Sequence, residues 1–245
     1  MKYTKLRKHV CEANLAIVQH GLVTLTWGNV SAVDRKRGVM AIKPSGVPYA
    51  ELTPAAIVIC DLDTGNVQQG SFSPSSDTPT HLHLYRAFPD IGAIVHTHSP
   101  SATAWAQLAR PLPCYGTTHA DHFNGAIPVA RPLRADEIEG TYEHAAGVSI
   151  VDTFQAEGLN PLDMPAAFLP GHAPFVWGTT LRAAIDNAVA LEEVARMALL
   201  MGAHRDPAPA PLDPRIVAKH FNRKHGAQAY YGQPATERKE SSPHE

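Results

Sequence analysis

Gly92-Ala-Ile-Val-His-Thr-His-Ser99 is the stretch of sequence that decides the fold. Three apolar residues, Ala93 to Val95, lead directly into His96 and His98, and a short apolar run of this kind predicts a buried strand. Alternate side chains of a strand point to the same face, so the two imidazoles should project together from a rigid element. Such a pair is the beginning of a zinc or other transition-metal site, although each histidine could also be an ordinary polar residue at a strand end.

Composition limits the classes of function. The chain has 245 residues, of which 44% are hydrophobic, and this is enough for one large core or two small ones. A formal net charge of -2 provides no electrostatic footprint for nucleic acid or for an acidic membrane surface. No G-x-G-x-x-G or P-loop motif suggests a nucleotide. We therefore expect neither nucleic acid nor a membrane as a partner.

The cysteines indicate the compartment. Cys11, Cys60 and Cys114 lie far apart and form no C-x-x-C pair. An odd, scattered set argues against a disulfide framework and favours a reducing environment. No apolar run approaches the length of a transmembrane helix, and no signal-peptide segment follows Met1. We expect a cytoplasmic protein.

Hairpins alternate with single helices along the chain. Two hairpins are expected, one turning through Asp34–Gly38 and the other through Asp63–Gly65. A further strand is expected from Phe168 to Trp177, with an interruption at Gly171–Pro174. This order of elements predicts one α/β domain with a mixed sheet, not a Rossmann unit.

Capping residues predict where the helices of the first two thirds begin. Thr78 is expected to cap a helix that has Pro79 in its first position and runs to about Phe88. A second helix is expected near Val148 to Glu157. The strand that carries the His-x-His pair lies between these two helices in the chain.

The last third of the chain contains two clearer helix signals. Thr180 is expected to cap a long helix with a continuous apolar stripe. Asp213 is expected to cap the last helix, which ends at Gly226. After Gln233 the composition is typical of a disordered tail.

A metal site needs further ligands beyond the His-x-His pair. His172 lies in Gly171-His-Ala-Pro174, where the glycine and the proline predict an interruption of the strand that can change the direction of a side chain. Three neutral imidazoles and one exchangeable position form a recurring catalytic zinc site. Asp77 is the best placed carboxylate for an additional ligand, although interaction with a helix N-terminus would explain it equally well.

Two turns have the chemistry of an anion site. Lys43-Pro-Ser-Gly46 offers a cation, a hydroxyl group and a glycine that lets backbone N–H groups approach an anion. Ser75 and Ser76 offer two hydroxyl groups beside a predicted helix N-terminus. Serine and glycine in turns usually have no role beyond forming the turn. The presence of two such motifs in one chain with the His-x-His pair favours an anion site.

Candidate acid/base groups lie in the second half. Asp121 follows Thr117 in a stretch that is dense in hydrogen-bonding side chains. His220 and Arg223 are three residues apart and should share one face of the last helix. Tyr231 follows that helix, and as a functional group it would need a nearby metal or cation to lower its pKa.

Five motifs together resemble the class II aldolase/epimerase family, and the likeness extends from the first helix to Gln233. The motifs are Thr24-Leu-Thr-Trp-Gly-Asn-Val-Ser31, Lys43-Pro-Ser-Gly46, Pro74-Ser-Ser-Asp-Thr-Pro-Thr80, His96-Thr-His98 and Gly116-Thr-Thr-His-Ala-Asp121. The resemblance implies a single-domain three-layer αβα fold with a central mixed, largely antiparallel sheet over residues 1–233, followed by a disordered tail over 234–245. It also implies a homotetramer with active sites at subunit interfaces and a zinc cofactor, with another divalent cation possible.

The resemblance also assigns roles. It puts the metal on three histidines and one aspartate: Asp77, His96, His98 and His172. It matches six residues to phosphate binding: Asn29, Lys43, Ser45, Gly46, Ser75 and Ser76. Asp121 and Tyr231 match the two acid/base groups, with Tyr231 acting across a subunit interface, and three residues match positions near the active site: Thr117, His220 and Arg223.

The expected activity is metal-dependent epimerisation of a small sugar phosphate. L-Ribulose 5-phosphate and D-xylulose 5-phosphate would be interconverted by cleavage and re-formation of the C3–C4 bond, as part of arabinose catabolism or of ascorbate use. A sugar-phosphate aldolase of the same family is the nearest alternative, and the short carboxylate Asp77, where fuculose-phosphate aldolases have glutamate, favours the epimerase. A non-catalytic adducin-like module would lack the metal histidines, and a generic metallohydrolase would not need two anion-binding turns.

Overall fold

A seven-stranded antiparallel sheet forms the centre of the protein, in a computed structural model that describes residues 3–227 and 229–230. The strand order is β4-β3-β2-β1-β5-β7-β6, and every pair of neighbouring strands is antiparallel. The strands are β1 (Gly28–Asp34), β2 (Val39–Ile42), β3 (Val58–Asp61), β4 (Val67–Gln69), β5 (Ala93–Thr97), β6 (Ala166–Phe168) and β7 (Pro174–Gly178).

Helices pack on both faces of this sheet. In chain order they are α1 (Thr4–Gln19), α2 (Thr78–Ala87), α3 (Pro100–Gln107), α4 (Thr117–Ala120), α5 (Ala135–Glu139), α6 (Tyr142–Glu157), α7 (Leu181–Leu200) and α8 (Pro214–His225). None of the helices in the described ranges combines the length and apolar character that a membrane crossing requires.

The His-x-His strand, β5, lies in the middle of the sheet. All five of its residues are buried, and it pairs with β1 on one side and β7 on the other. His96 stands opposite Asn29 of β1 and Phe175 of β7. Cross-strand partners share a face of the sheet, so these three side chains lie together. The predicted buried strand is confirmed.

The faces of the sheet are covered by different helices. Ser31 on the same face as His96 bonds to His81 and Tyr85 of α2 at 2.7 Å and 2.9 Å. Trp177 of β7 packs against Phe154 of α6 on that face, and α6 packs along α2. Helices α1 and α7 pack on each other and on the opposite side of the central strands. The α/β fold with a layered arrangement is confirmed.

The sheet is more uniform than predicted. We expected a mixed, largely antiparallel sheet, and within the described residues the only parallel contact is an isolated bridge between Val129 and Phe168. Hairpin connections enforce antiparallel pairing in three of the six strand pairs, β1–β2, β3–β4 and β6–β7.

The segment predicted as one interrupted strand is a hairpin. Strands β6 and β7 pair with each other, and the chain reverses between them. The N–H of Leu169 donates to the Ala173 carbonyl, and the N–H of His172 donates to Leu169, which closes a tight turn. Gly171 has a φ of 70° in this turn, a left-handed conformation that glycine adopts without strain. The turn carries His172 to the end of the sheet where β5 ends.

Two helices begin earlier than their sequence signals suggested. Asp77, and not Thr78, is the N-cap of α2, and the Thr78 hydroxyl donates to the Ser75 carbonyl at 2.7 Å. Helix α6 begins at Tyr142, six residues before the predicted start. Its first turns contain Gly147, where a Cβ would lie 2.9 Å from the Cβ of His83. This glycine weakens the helical pattern but allows close packing of α6 on α2.

The two C-terminal helices match their capping signals. The Thr180 hydroxyl accepts from the N–H of Ala183 at the start of α7, and Asp213 caps α8. The predicted tail, 234–245, lies outside the described residues, so the division at residue 233 stays a prediction.

Candidate active site

Three imidazoles converge at the end of the central sheet. The ring centroid of His96 is 5.1 Å from that of His98 and 5.0 Å from that of His172. The remaining pair, His98 and His172, is separated by 4.9 Å. One ring nitrogen from each lies within 4.8 Å of the others, a group that could hold a metal ion. Strand alternation brings the first two together, and the β6–β7 turn supplies the third.

The orientation of His96 is fixed by its neighbours. Its Nδ1 lies 2.9 Å from the carbonyl oxygen of Pro174, and its ring stacks on Phe175 at 4.2 Å. A carbonyl oxygen only accepts hydrogen bonds, so Nδ1 carries the proton and the lone pair is on Nε2. Metal-bound histidines typically have their second nitrogen held in this way.

The protonation states also suit metal binding. Burial lowers the pKa of His172 to about 4 and lowers the pKa of His98 below its ordinary value. Both rings are therefore neutral near pH 7, as ligation requires. Nδ1 of His172 is buried without a hydrogen-bond partner among the described residues, and a buried nitrogen of this kind needs a partner. The three residues fit a divalent metal ion.

Asp77 lies beside the three histidines. Its Oδ2 is 3.8 Å from Nε2 of His96 and accepts a 2.7 Å hydrogen bond from Nδ2 of Asn29. Burial raises the pKa of Asp77, but electrostatic interactions with His96 and His81 and the Asn29 hydrogen bond outweigh this effect and lower it. The group of three converging donors does not include Asp77. Its role as a further ligand stays a prediction.

The two predicted anion-binding turns lie side by side. Pro44 and Pro74 form an isolated antiparallel bridge between them. The N–H of Ser45 donates to Ser73, and the N–H of Ser75 donates to Lys43, both at 3.0 Å. Two motifs that are separated by about thirty residues in the chain therefore form one surface.

Lys43 is a buried cation in this surface. Its side chain is 2% exposed, and its ammonium group donates to the Val47 carbonyl at 2.7 Å and stands 4.8 Å from the Tyr49 ring centroid. Burial lowers the pKa of Lys43. Within the described chain no carboxylate pairs with it, although buried charges are normally paired. An anionic ligand would supply the missing charge.

Backbone and hydroxyl donors complete the anion surface. Gly46 has a φ of 67°, and a Cβ at this position would have no atom within 4 Å. The N–H groups of Gly46 and Ser76 make no hydrogen bond to other described residues. Free N–H groups, three serine hydroxyls and a lysine near the start of α2 have the chemistry of a phosphate nest, and phosphate binding there stays a prediction.

One cavity contains both groups of residues. It has a volume of about 340 Å³, and all ten residues predicted for metal or phosphate binding line it: Asn29, Lys43, Ser45, Gly46, Ser75, Ser76, Asp77, His96, His98 and His172. Thr26, Trp27, Gly28 and Pro44 also line it, and the sequence analysis assigned them no role. The signal for three of them was their place in the Thr24–Ser31 motif.

Asp121 belongs to a second group of residues. Its carboxylate accepts from Arg223 at 2.7 Å and 3.1 Å and lies 3.2 Å from Nδ1 of His220. Burial raises the pKa of Asp121, but the hydrogen bonds from Arg223 and His220 outweigh this and lower it. Thr117 lies one helical turn before it. None of these four residues lines the cavity that the histidines form within the described chain.

Tyr231, the second predicted acid/base group, lies outside the described residues. Its expected position across a subunit interface stays a prediction.

The comparisons with known proteins identify the family. Residues 8–199 match the family model described as "Class II Aldolase and Adducin N-terminal domain". The chain belongs to the class II aldolase family. It is 48% identical over 229 residues to L-ribulose-5-phosphate 4-epimerase UlaF from Salmonella paratyphi B, covering 94% of this chain and 99% of that protein. The protein of the same name from Salmonella typhi matches with the same identity and coverage.

Solved structures of the class II aldolase family share the fold. One described as L-fuculose 1-phosphate aldolase superposes with a TM-score of 0.74 at 27% identity, covering 89% of this chain and 95% of that one. L-Fuculose-1-phosphate aldolase from Thermus thermophilus superposes with a TM-score of 0.64 at 25% identity, covering 84% and 98% of the two chains. The family and fold implied by the sequence motifs are confirmed.

Lys43→Met should weaken phosphate binding in this class II aldolase. A hydrogen bond between charged groups contributes about 1.5–3 kcal/mol, so we expect KM for a sugar phosphate to rise by about 10- to 100-fold with a smaller change in kcat. Steady-state kinetics with Lys219→Met, a change on the exposed face of α8, as the control would measure this. Unchanged KM for the Lys43 variant would contradict the anion site.

Gly28→Ala should disturb the contact between β1 and β5, the strand that carries His96. A Cβ at Gly28 would lie 2.9 Å from Val23 Cγ1 and 3.0 Å from the His96 carbonyl oxygen, at a φ of 135°. We expect a loss of about 1–3 kcal/mol in the free energy of unfolding and weaker metal retention. Urea titration would measure the first effect.

Gly38→Ala is the matched control, because Gly38 has a φ of 63° but open space around it. An equal loss of stability in both variants would show that the close approach to His96 is unimportant.

Proposed function

We propose that this class II aldolase chain is a metal-dependent epimerase that interconverts L-ribulose 5-phosphate and D-xylulose 5-phosphate. The observation that carries the proposal is the single cavity in which a three-imidazole donor set faces a phosphate nest with a buried lysine. Relatives 48% identical over nearly the whole chain are named L-ribulose-5-phosphate 4-epimerase. Cytoplasmic location and a role in arabinose catabolism belong to the same proposal.

The metal would be held by His96, His98 and His172, with Asp77 as a further ligand. We propose Zn²⁺, because neutral imidazoles suit it and an open position for substrate is typical of catalytic zinc sites. When bound, the ion supplies Lewis-acid stabilisation of negative charge that develops on the C2 and C3 oxygens.

The phosphate group would occupy the nest. Lys43 would neutralise part of its charge, and the hydroxyls of Ser45, Ser75 and Ser76 with the N–H of Gly46 would donate to its oxygens. Asn29 already bonds to Ser75 Oγ at 3.1 Å and to Asp77 Oδ2 at 2.7 Å. Asn29 would therefore fix the position of the phosphate nest relative to the metal site. An anchored phosphate holds one end of its fragment while the aldehyde end rotates.

The chemistry requires C–C cleavage, because the C4 hydrogen of a ketopentose is not acidic. A base removes the proton of the C4 hydroxyl, C4 becomes an aldehyde carbon, and the electron pair of the C3–C4 bond passes to the enediolate of the other fragment. The aldehyde then turns its opposite face to C3, the bond re-forms, and an acid returns the proton to the C4 oxygen. Asp121 and Tyr231 are the proposed acid/base groups for the two faces.

A neighbouring subunit would complete the active site. Asp121 is held by Arg223 and His220 but does not line the histidine cavity of its own chain. A cyclic homotetramer would place the Asp121 group of one subunit against the metal cavity of the next. Tyr231, which follows α8, would come from a neighbour as well.

Mixing two inactive variants tests this arrangement. If sites form between neighbouring subunits, randomly mixed tetramers of His98→Ala and Asp121→Asn should recover about a quarter of wild-type activity, because about one interface in four has both groups intact. The two proteins would be unfolded together, refolded and assayed. Variants refolded separately are the control, and no recovery on mixing would place both groups in one chain.

An aldolase that releases its aldehyde is the second candidate function. The fold similarity to proteins described as L-fuculose 1-phosphate aldolase favours it. An assay of L-ribulose 5-phosphate turnover that measures both D-xylulose 5-phosphate and free glycolaldehyde phosphate separates the two. The proposal expects the epimer, whereas fragments without the epimer would support the aldolase.

A further inference from the structure

Trp27 differs from the other two tryptophans of the chain. Trp105 and Trp177 are completely buried, and their indole N–H groups donate to the carbonyls of Arg110 and Pro161. Trp27 is 52% exposed, and its indole N–H bonds to none of the described residues. Tryptophan side chains are usually largely buried, with a hydrogen-bond partner for the indole N–H, and Trp27 has neither property.

Its location gives Trp27 a possible role. The side chain lines the cavity that contains the three histidines and the phosphate nest. Almost all other groups there are charged or hydrogen-bonding, and Pro44 is the only other residue of the lining with a large apolar surface. Trp27 is therefore the main apolar wall of an otherwise polar cavity.

The backbone holds this wall in place from both sides. The N–H of Trp27 donates to the Thr24 carbonyl at 3.0 Å, which closes a turn around Leu25. Leu25 has a φ of 53°, a left-handed conformation that is unfavourable for a branched side chain. On the other side Gly28 packs against the backbone of β5. Strain that persists next to a cavity is often linked to function.

We propose that Trp27 retains the aldehyde fragment during turnover and so decides between epimerisation and release. This inference rests on the proposed function. Cleavage gives an aldehyde and an enediolate, and the aldehyde must rotate within the cavity before the bond re-forms. An apolar wall leaves the rotating carbon free of hydrogen bonds while it blocks the exit and excludes water. Polar side chains alone would not provide such a surface.

Loss of the wall should produce a defined side reaction. The aldehyde leaves as glycolaldehyde phosphate, and the enediolate takes a proton at C3 from water and becomes dihydroxyacetone. The base that accepted the C4 hydroxyl proton returns it to solvent, so the sum is cleavage of one pentulose phosphate into two carbonyl products without oxidation or reduction.

The test measures how turnover is divided between the two outcomes. Wild type, Trp27→Ala and Trp27→Phe would be incubated with L-ribulose 5-phosphate, and D-xylulose 5-phosphate and dihydroxyacetone would be quantified together. We expect Trp27→Ala to raise the ratio of dihydroxyacetone to epimer by roughly tenfold or more. Trp27→Phe, which keeps an aromatic wall, should stay near wild type.

Ile138→Ala is the control, because Ile138 is an apolar side chain of α5 that is 56% exposed and does not line the cavity. Its product ratio should equal that of wild type. A Trp27→Ala enzyme that turns over more slowly with an unchanged ratio, or that dissociates from the wild-type oligomeric state, would overturn the retention role. A wild-type enzyme that forms no epimer would instead overturn the proposed function, and this inference with it.

Discussion

His98→Ala is expected to remove the bound divalent ion and to lower kcat/KM by about 10³-fold or more. The variant keeps only two of the three imidazoles that would hold the metal, which should weaken its binding. Lewis-acid stabilisation of the enediolate contributes several kcal/mol, and each 1.36 kcal/mol corresponds to a factor of ten in rate. His98 is a suitable proposed ligand to replace, because it is only partly buried. His96 is buried against Phe175, so its loss would also leave a hole in the core.

The measurement combines metal analysis of the purified protein with an epimerase assay and a thermal melt. His9→Ala, an exposed histidine of α1, is the control and should keep both metal and activity. A His98→Ala protein that keeps its metal and turns over at nearly the wild-type rate would contradict the three-histidine site.

Asp121→Asn should abolish most epimerisation without loss of metal. A general acid or base typically contributes about 10²- to 10⁴-fold, and we expect kcat to fall within this range. Arg223 and His220 keep the pKa of Asp121 low in the free chain. We therefore expect the carboxylate to accept a proton readily only after bound substrate changes its surroundings. Asparagine keeps an oxygen that can accept one of the Arg223 hydrogen bonds, so the fold should be retained.

Asp213→Asn provides a matched comparison, since Asp213 also pairs with an arginine, Arg215, at the beginning of α8. It should have wild-type kinetics and metal content. Near-normal turnover of Asp121→Asn, or parallel loss of metal and activity, would exclude the proposed acid/base role.

Strand β5 could be predicted from the sequence because the residues that identify it are neighbours in the chain. A strand period of two is sufficient to bring His96 and His98 to one face, and an apolar run is sufficient to bury them. The position of His172 needed one further feature, the Gly171–Pro174 break. The glycine and proline indicated an interruption of the strand at this point. They did not indicate that the chain reversed direction, because an interrupted strand and a tight hairpin share the same turn residues.

The phosphate nest could not be predicted from either turn alone. Each turn is common, and their adjacency depends on the bridge between Pro44 and Pro74, a tertiary contact without a local signal. The starts of α2 and α6 were misjudged for similar reasons. Thr78 bonds backward to Ser75 and leaves the capping position to Asp77, and Gly147 is explained only by the helix that packs against it.

Asp121 is associated with different groups by the sequence motifs and by the structure of one chain. The resemblance associates it with the metal site, while the structure of one chain associates it with His220 and Arg223. A second copy of the chain would reconcile the two observations. Neither hydrophobic periodicity nor capping rules contain information about such an interface.

Turnover of L-ribulose 5-phosphate in heavy water tests reversible cleavage of the C3–C4 bond. The product mixture of the metal-loaded enzyme would be followed by NMR. We expect D-xylulose 5-phosphate whose C3 and C4 positions both retain protium, because neither C–H bond breaks when the C–C bond is cleaved and re-formed. Deuterium at C3 or C4 of the epimer, or the absence of any epimer, would contradict it.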